Sequence, residues 1–206
     1  MSQNLIKRII TSIILLLLLF FITFNHQYIF IFSILLLGLS ICIEANNIFL
    51  KIINFKNFKK KKLTKKISSK FLIFNIITFS YVFFIFCISA YEIYKNQSPI
   101  FFLYVISICF FTDIGGYVFG KTIGGKKLSK ISPNKTISGT IGSFIFSIIP
   151  LIIILNTNYL DFELNQKNLV FCLIVSLISQ LGDLFVSYIK RKAKVKDTGE
   201  ILPGHG

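Results

Sequence analysis

The sequence predicts an all-α, polytopic integral membrane protein, a helical bundle of about six transmembrane helices. Three observations carry that expectation. Hydrophobic residues make up 54% of the 206 residues, with 24 Phe and a mean hydropathy of +0.74, outside the range of soluble domains. Six apolar stretches are long enough to cross a hydrocarbon core, which takes roughly 20 residues of helix. The cationic residues fall in alternate loops between them, and only helices or closed barrels satisfy their backbone groups in lipid.

The stretches run over about 7–25, 28–50, 71–94, 98–120, 138–157 and 168–190. Lys7 and Arg8 precede the leucines of the first as in a signal peptide, but no small-residue cleavage site follows. Asn25-His26-Gln27 reads as a turn into the second span, and His26 as incidental. No internal repeat is evident, and a single transmembrane domain over 1–206 is expected.

The net charge of +15 does not point to nucleic acid, because of where it lies. Of the 23 Lys and Arg, 21 sit before the first span or in 51–70, 121–137 and 190–206. Only Lys95 and Lys167 fall on the other side, with Asp161 and Glu163. This positive-inside pattern puts the N-terminus and the loops 51–70, 121–137 and 191–206 in the cytoplasm. Lys outnumbers Arg 21 to 2, so the 56–66 lysine run is read as topology signal and codon bias rather than an anionic-lipid site. Cys42, Cys87, Cys109 and Cys172 stand apart without a C-x-x-C pair, and are read as small buried hydrophobes.

Ionisable groups within spans are candidate functional sites, since lipid-facing charge is costly. Four are present: Glu44, Glu92, Asp113 and Asp183. Glu92, near an outer end, can simply reach water, and Glu44 serves equally well as a helix-packing hydrogen-bond partner. The aspartates share a depth. Asp113 precedes Lys121 by eight residues and Asp183 precedes Lys190 by seven, in spans of the same direction. At 1.5 Å per residue both lie roughly 10 Å below the inner surface, where two carboxylates can hold a hard divalent cation.

After Asp113 the chain is rich in glycine and lysine, including Gly115, Gly116, Gly120, Gly139, Gly142 and Lys135. Glycines admit phosphate to backbone N–H groups and lysines supply charge. Helix packing and topology explain the same residues equally well. After Asp183 come Lys190, Arg191, Lys196, Asp197 and a Pro203-Gly204-His205-Gly206 turn. Acids for a metal and cations for phosphates fit phosphoryl or nucleotidyl transfer, which relies on positioning and charge neutralisation.

The pattern Ser187-x-x-Lys190-Arg191-x-x-x-x-Lys196-Asp197-x-x-x-x-x-Pro203-Gly204-His205-Gly206, preceded by Gly182-Asp183-Leu184, resembles the signature of the phosphatidate cytidylyltransferase (CDP-diglyceride synthase) family. Asp113-x-Gly115-Gly116-Tyr117-x-Phe119-Gly120 and Ser132-Pro133-x-Lys135-Thr136-x-x-Gly139 resemble its other cytoplasmic-side segment, and Glu44 resembles an acid of its second span. The resemblance implies an enzyme of a bacterial-type inner membrane, its active site facing the cytoplasm, that joins CTP and phosphatidic acid into CDP-diacylglycerol and pyrophosphate with Mg²⁺. It implies that Asp183 holds the metal, that Lys135, Lys190, Arg191 and Lys196 clamp phosphates, and that Asp197 and His205 orient them or assist the metal. Asp113, Ser132, Ser187, Gly204 and Gly206 fall in the same segments and are expected at the substrate. A homodimer is left open.

The family signature continues past His-Gly with another Gly, an Asp-Arg-x-Asp element whose first Asp shares the metal, and a last span. None follows Gly206, so the chain is expected to be a piece of a longer protein. Two rival readings are a small cation or proton transporter using Asp113, Asp183 and Glu44, and a CTP-dependent polyprenol kinase. The transporter leaves the loop patterns unexplained.

Overall fold

The computed structural model describes residues 3–58, 65–96, 98–129, 132–157 and 163–195, and the fold is all-α, with no strand among these residues. Among the described residues five helical stretches are long and apolar enough to cross a membrane: Gln27–Ile52, Ile73–Asn96, Pro99–Thr122, Ile137–Leu155 and Gln166–Ala193. A shorter apolar one spans Ile10–Phe24. Ile, Leu and Phe cover the outward faces of these helices, as a lipid solvent requires.

The chain divides into two compact units, Met1–Lys95 with Ile189–Gly206, and Asn96–Tyr188. In the first, α1 (Gln3–Phe24) turns at Asn25, whose Nδ2 donates to Phe21 O at 2.8 Å, into α2 (Gln27–Phe58). The next span is α3 (Lys65–Ser80), a π-helical stretch Tyr81–Cys87 and α4 (Ile88–Asn96) in unbroken succession. Aromatic stacking joins this span to α2, with Phe30 on Tyr94 and Phe49 on Phe74, each at 3.9 Å. All four cysteines are free; Cys87 and Cys172 are buried, whereas Cys42 and Cys109 are only half-buried.

In the second unit, α5 (Pro99–Thr122) begins with Pro99 in its first turn and Ser98 Oγ accepting from Phe101 N at 3.1 Å. Beyond its end, Gly124 and Gly125 have φ of 63° and 102°, which favour glycine. The returning strand-like pair is closed by Leu128 N to Lys135 O at 2.8 Å and Ile137 N to Lys126 O at 3.0 Å. Thr136 then caps α6 (Ile137–Phe146), its Oγ1 accepting from Gly139 N at 3.1 Å, and Ser138 Oγ donates to Gly124 O. A short break at Ser147 and Ile148 leads into α7 (Ile149–Leu155), with Pro150 in its first turn. Last comes α8 (Gln166–Ala193), where Asn165 Oδ1 accepts from Asn168 N at 2.9 Å.

The core of this unit gathers Tyr104 and Ile108 of α5, Leu151 and Ile154 of α7 and Cys172 of α8. Tyr104 Oη and Cys172 Sγ lie 3.1 Å apart, so the buried phenol is partnered. At its other end α5 meets α6 at van der Waals distance. A Cβ on Gly139 would fall 2.8 Å from Gly116 O, and one on Gly142 would fall 2.7 Å from Gly115 O. Small residues let two backbones approach this closely, and dispersion replaces the hydrophobic drive that lipid does not supply.

Candidate functional site

Three helices and one turn build a cavity of about 390 Å³ entirely within the second unit. That size is in the range of small-molecule sites. From α5 come Asp113, Gly116 and Tyr117, spaced i, i+3, i+4 and therefore on one face. From α6 and its cap come Thr136, Gly139, Thr140 and Ser143, and from α8 Gln180, Asp183 and Ser187, again on single helical faces. The turn before α6 adds Ser132, Asn134 and Lys135.

That turn is dictated locally. Pro133 suits the second position of a β-turn, and Lys135 N donates to Ser132 O at 3.1 Å. Ser132 N in turn donates to Ser129 Oγ at 3.2 Å. The fold thus delivers Lys135 to α8, where its Nζ donates to Asp183 Oδ2 at 2.8 Å. With the side chains 32% and 60% exposed, this ion pair contributes only about 0–1 kcal/mol to stability. Its place is in the site rather than the scaffold.

The α5 contribution is held by Ser143, whose Oγ donates to Thr112 O at 2.8 Å, fixing the backbone next to Asp113. The close α5–α6 approach through Gly115, Gly116, Gly139 and Gly142 sets the width of the cavity on that side. Five residues expected at metal or substrate therefore share one cavity, Asp113, Ser132, Lys135, Asp183 and Ser187, together with Gly116, Tyr117, Thr136 and Gly139 of the same sequence motifs. Sequence reasoning missed Asn134, Thr140, Ser143 and Gln180. For Gln180 the signal was the three-residue spacing from Asp183.

Lys190 and Arg191 lie in the last turn of α8, beyond Ser187. Lys196, Asp197, Gly204, His205 and Gly206 lie outside the described residues. Glu44 is half-buried on α2 and Glu92 exposed on α4, both in the first unit. Among the described residues no group of three or more His, Cys, Asp or Glu forms a metal cluster. A hard cation that keeps most of its water and substrate oxygens needs fewer, and two carboxylates beside Ser and Thr hydroxyls are a donor set of that kind.

A model of the cytidylyltransferase family matches residues 27–206. The chain belongs to that family. This cytidylyltransferase-family chain is 48% identical over 106 residues to the phosphatidate cytidylyltransferase of Staphylococcus haemolyticus, covering 50% of the chain and 40% of that relative. It is 46% identical over 115 residues to the phosphatidate cytidylyltransferase of Staphylococcus aureus strain COL, covering 54% and 43%, and 42% identical over 115 residues to that of Staphylococcus epidermidis, with the same coverage. The matches span less than half the length of these relatives.

Proposed function

We propose that this family member transfers the cytidylyl group of CTP to phosphatidic acid, giving CDP-diacylglycerol and pyrophosphate, in a bacterial inner membrane with its cavity facing the cytoplasm. The observation that carries the reading is the cavity in which Lys135 and the carboxylates of Asp113 and Asp183 converge. The names of the relatives supply the substrates, and the positive-inside charge pattern supplies the orientation.

Phosphatidate carries a phosphomonoester with a second pKa of about 6, so near neutral pH it is largely dianionic and attacks without a general base. Its oxygen forms a bond to the α-phosphorus of CTP. The bond from that phosphorus to the β-phosphate oxygen breaks, and pyrophosphate leaves with the electron pair. Asp183 and Asp113 would hold a Mg²⁺ ion, which when bound neutralises phosphate oxygens. Lys135 orients phosphate oxygens within the cavity, while the Ser132, Thr140 and Ser187 hydroxyls donate to them. Lys190, Arg191 and Lys196 are assigned to the phosphates leaving and arriving from the cytoplasmic side, with Asp197 and His205 orienting them. Positioning together with neutralisation of the charge in the transition state supplies most of the rate in phosphoryl transfer.

The test is CTP labelled at one phosphorus at a time, given with phosphatidate to membranes carrying the full chain. Label from the α-position in lipid is the expected result. Label from the γ-position would establish a kinase instead, and no lipid label at either position would refute group transfer to lipid.

A further inference from the structure

We propose that Lys135 acts as a tethered cation that occupies Asp183 until phosphate draws it away, so that metal and nucleotide bind with positive coupling. The inference rests on the reading of the cavity as a metal and phosphate site. Its basis is the placement of the ammonium: Nζ lies 2.8 Å from Asp183 Oδ2, at hydrogen-bond distance from the carboxylate proposed to hold metal. The lysine is delivered by a turn, not locked in a helix, and its side chain is one-third exposed.

The coupling comes from the charges. Without ligands the cavity holds two carboxylates and one ammonium, a formal net of −1. A divalent cation arriving alone must share Asp183 with a lysine already bound to it, or displace that lysine while staying close to its charge. A polyphosphate removes the conflict, because Lys135 transfers to phosphate oxygens and leaves Asp183 Oδ2 to the metal. By thermodynamic reciprocity, metal and phosphate each strengthen the other's binding. A lysine that served only as a phosphate clamp, held about 8 Å or more from the metal and not on Asp183, would change the affinity for metal alone by less than about tenfold.

The experiment measures Mn²⁺ binding by paramagnetic resonance, with Mn²⁺ added alone, to the full chain in lipid nanodiscs. Removing one positive charge about 4 Å from a dication in a well-hydrated site corresponds to roughly ten- to thirtyfold in affinity. Lys135→Gln is therefore expected to bind Mn²⁺ at least tenfold more tightly than the unaltered chain, while Lys135→Arg, which keeps the charge, binds it no more tightly. In the Gln variant, metal-free CTP binding measured in chelator is expected to weaken. Mn²⁺ binding by Lys135→Gln that is tightened less than tenfold, unchanged, weaker or lost overturns the inference. Asp183→Asn separates the two levels. If it leaves Mn²⁺ affinity unaltered, the metal reading of the cavity falls. If it weakens Mn²⁺ binding while Lys135→Gln does not strengthen it, only the tethered-cation inference falls.

Discussion

Gly115 of α5 and Gly142 of α6 touch backbone to backbone: a Cβ on Gly115 would overlap the carbonyl oxygen of Gly142 and the ring of Phe146. A Cβ on Gly142 would likewise meet Phe119. Neither neighbour can yield easily, since Phe119 and Phe146 pack edge to face at 5.8 Å. Gly142→Ala is expected to destabilise by about 1–3 kcal/mol, the usual cost of overpacking. Thermal unfolding in detergent or nanodiscs reads this as a lower Tm. Gly182 provides the contrast, because a Cβ there meets nothing within 4 Å among the described residues. Gly182→Ala should melt no lower than the unaltered chain, and a loss equal to that of Gly142→Ala would show that close packing is not the reason for the glycines.

Thr112 offers a prediction of opposite sign. It is fully buried, and its Oγ1 has no hydrogen-bond partner among the described residues, although its carbonyl accepts from Ser143. An unsatisfied buried hydroxyl costs about 1–3 kcal/mol, and an apolar replacement of the same shape removes that cost. Thr112→Val should leave Tm equal or raised, whereas Ser143→Ala, which breaks the bond to the Thr112 carbonyl, should lower it. A marked loss on Thr112→Val would mean that the hydroxyl has a partner after all.

The helices are legible in the sequence because long apolar runs between cationic loops form a one-dimensional pattern. Their ends are less so. The second apolar stretch ends near 50, yet α2 continues to Phe58, since lysine favours helix and marks the edge of the membrane rather than of the helix. Nothing in 81–87 marks the π-helical stretch. The glycines after Asp113 admit two readings, and the structure divides them. Gly115 and Gly142 serve helix contact, Gly124 and Gly125 a positive-φ turn, and Gly116 and Gly139 face the cavity while also packing. That Asp113 and Asp183 line one cavity accords with their similar distances from Lys121 and Lys190 in the sequence. The pairing of Lys135 with Asp183 is not, because it depends on a turn and a helix 48 residues apart in sequence.

The charge asymmetry makes orientation testable. In a variant lacking Cys42, Cys87, Cys109 and Cys172, Lys126→Cys and Asn165→Cys place single thiols at exposed positions in successive loops. A membrane-impermeant maleimide applied to intact cells should label Asn165→Cys and spare Lys126→Cys, with the reverse in inside-out vesicles. Labelling of Lys126→Cys in intact cells would overturn the cytoplasmic placement of the cavity loop.

Asp183 and Ser187 line the same face of α8 but stand to lose different things. Asp183→Asn keeps the shape of the carboxylate and removes its charge, so Lys135 loses its anionic partner and a metal would keep only the Asp113 carboxylate. In CTP- and Mg²⁺-dependent lipid labelling it should lower kcat by at least about a hundredfold, the scale seen when a group stabilising charge in the transition state is lost. Membrane insertion should be unchanged, because the ion pair it breaks is half exposed and contributes little to stability. Ser187→Ala removes one hydrogen bond to a charged phosphate, about 1.5–3 kcal/mol, which is roughly ten- to 150-fold in kcat/KM and should be expressed mainly in KM rather than kcat. Normal labelling by Asp183→Asn would refute its role in the reaction. An equal loss of kcat in both variants would show that the α8 face acts through its shape rather than through the charge of Asp183.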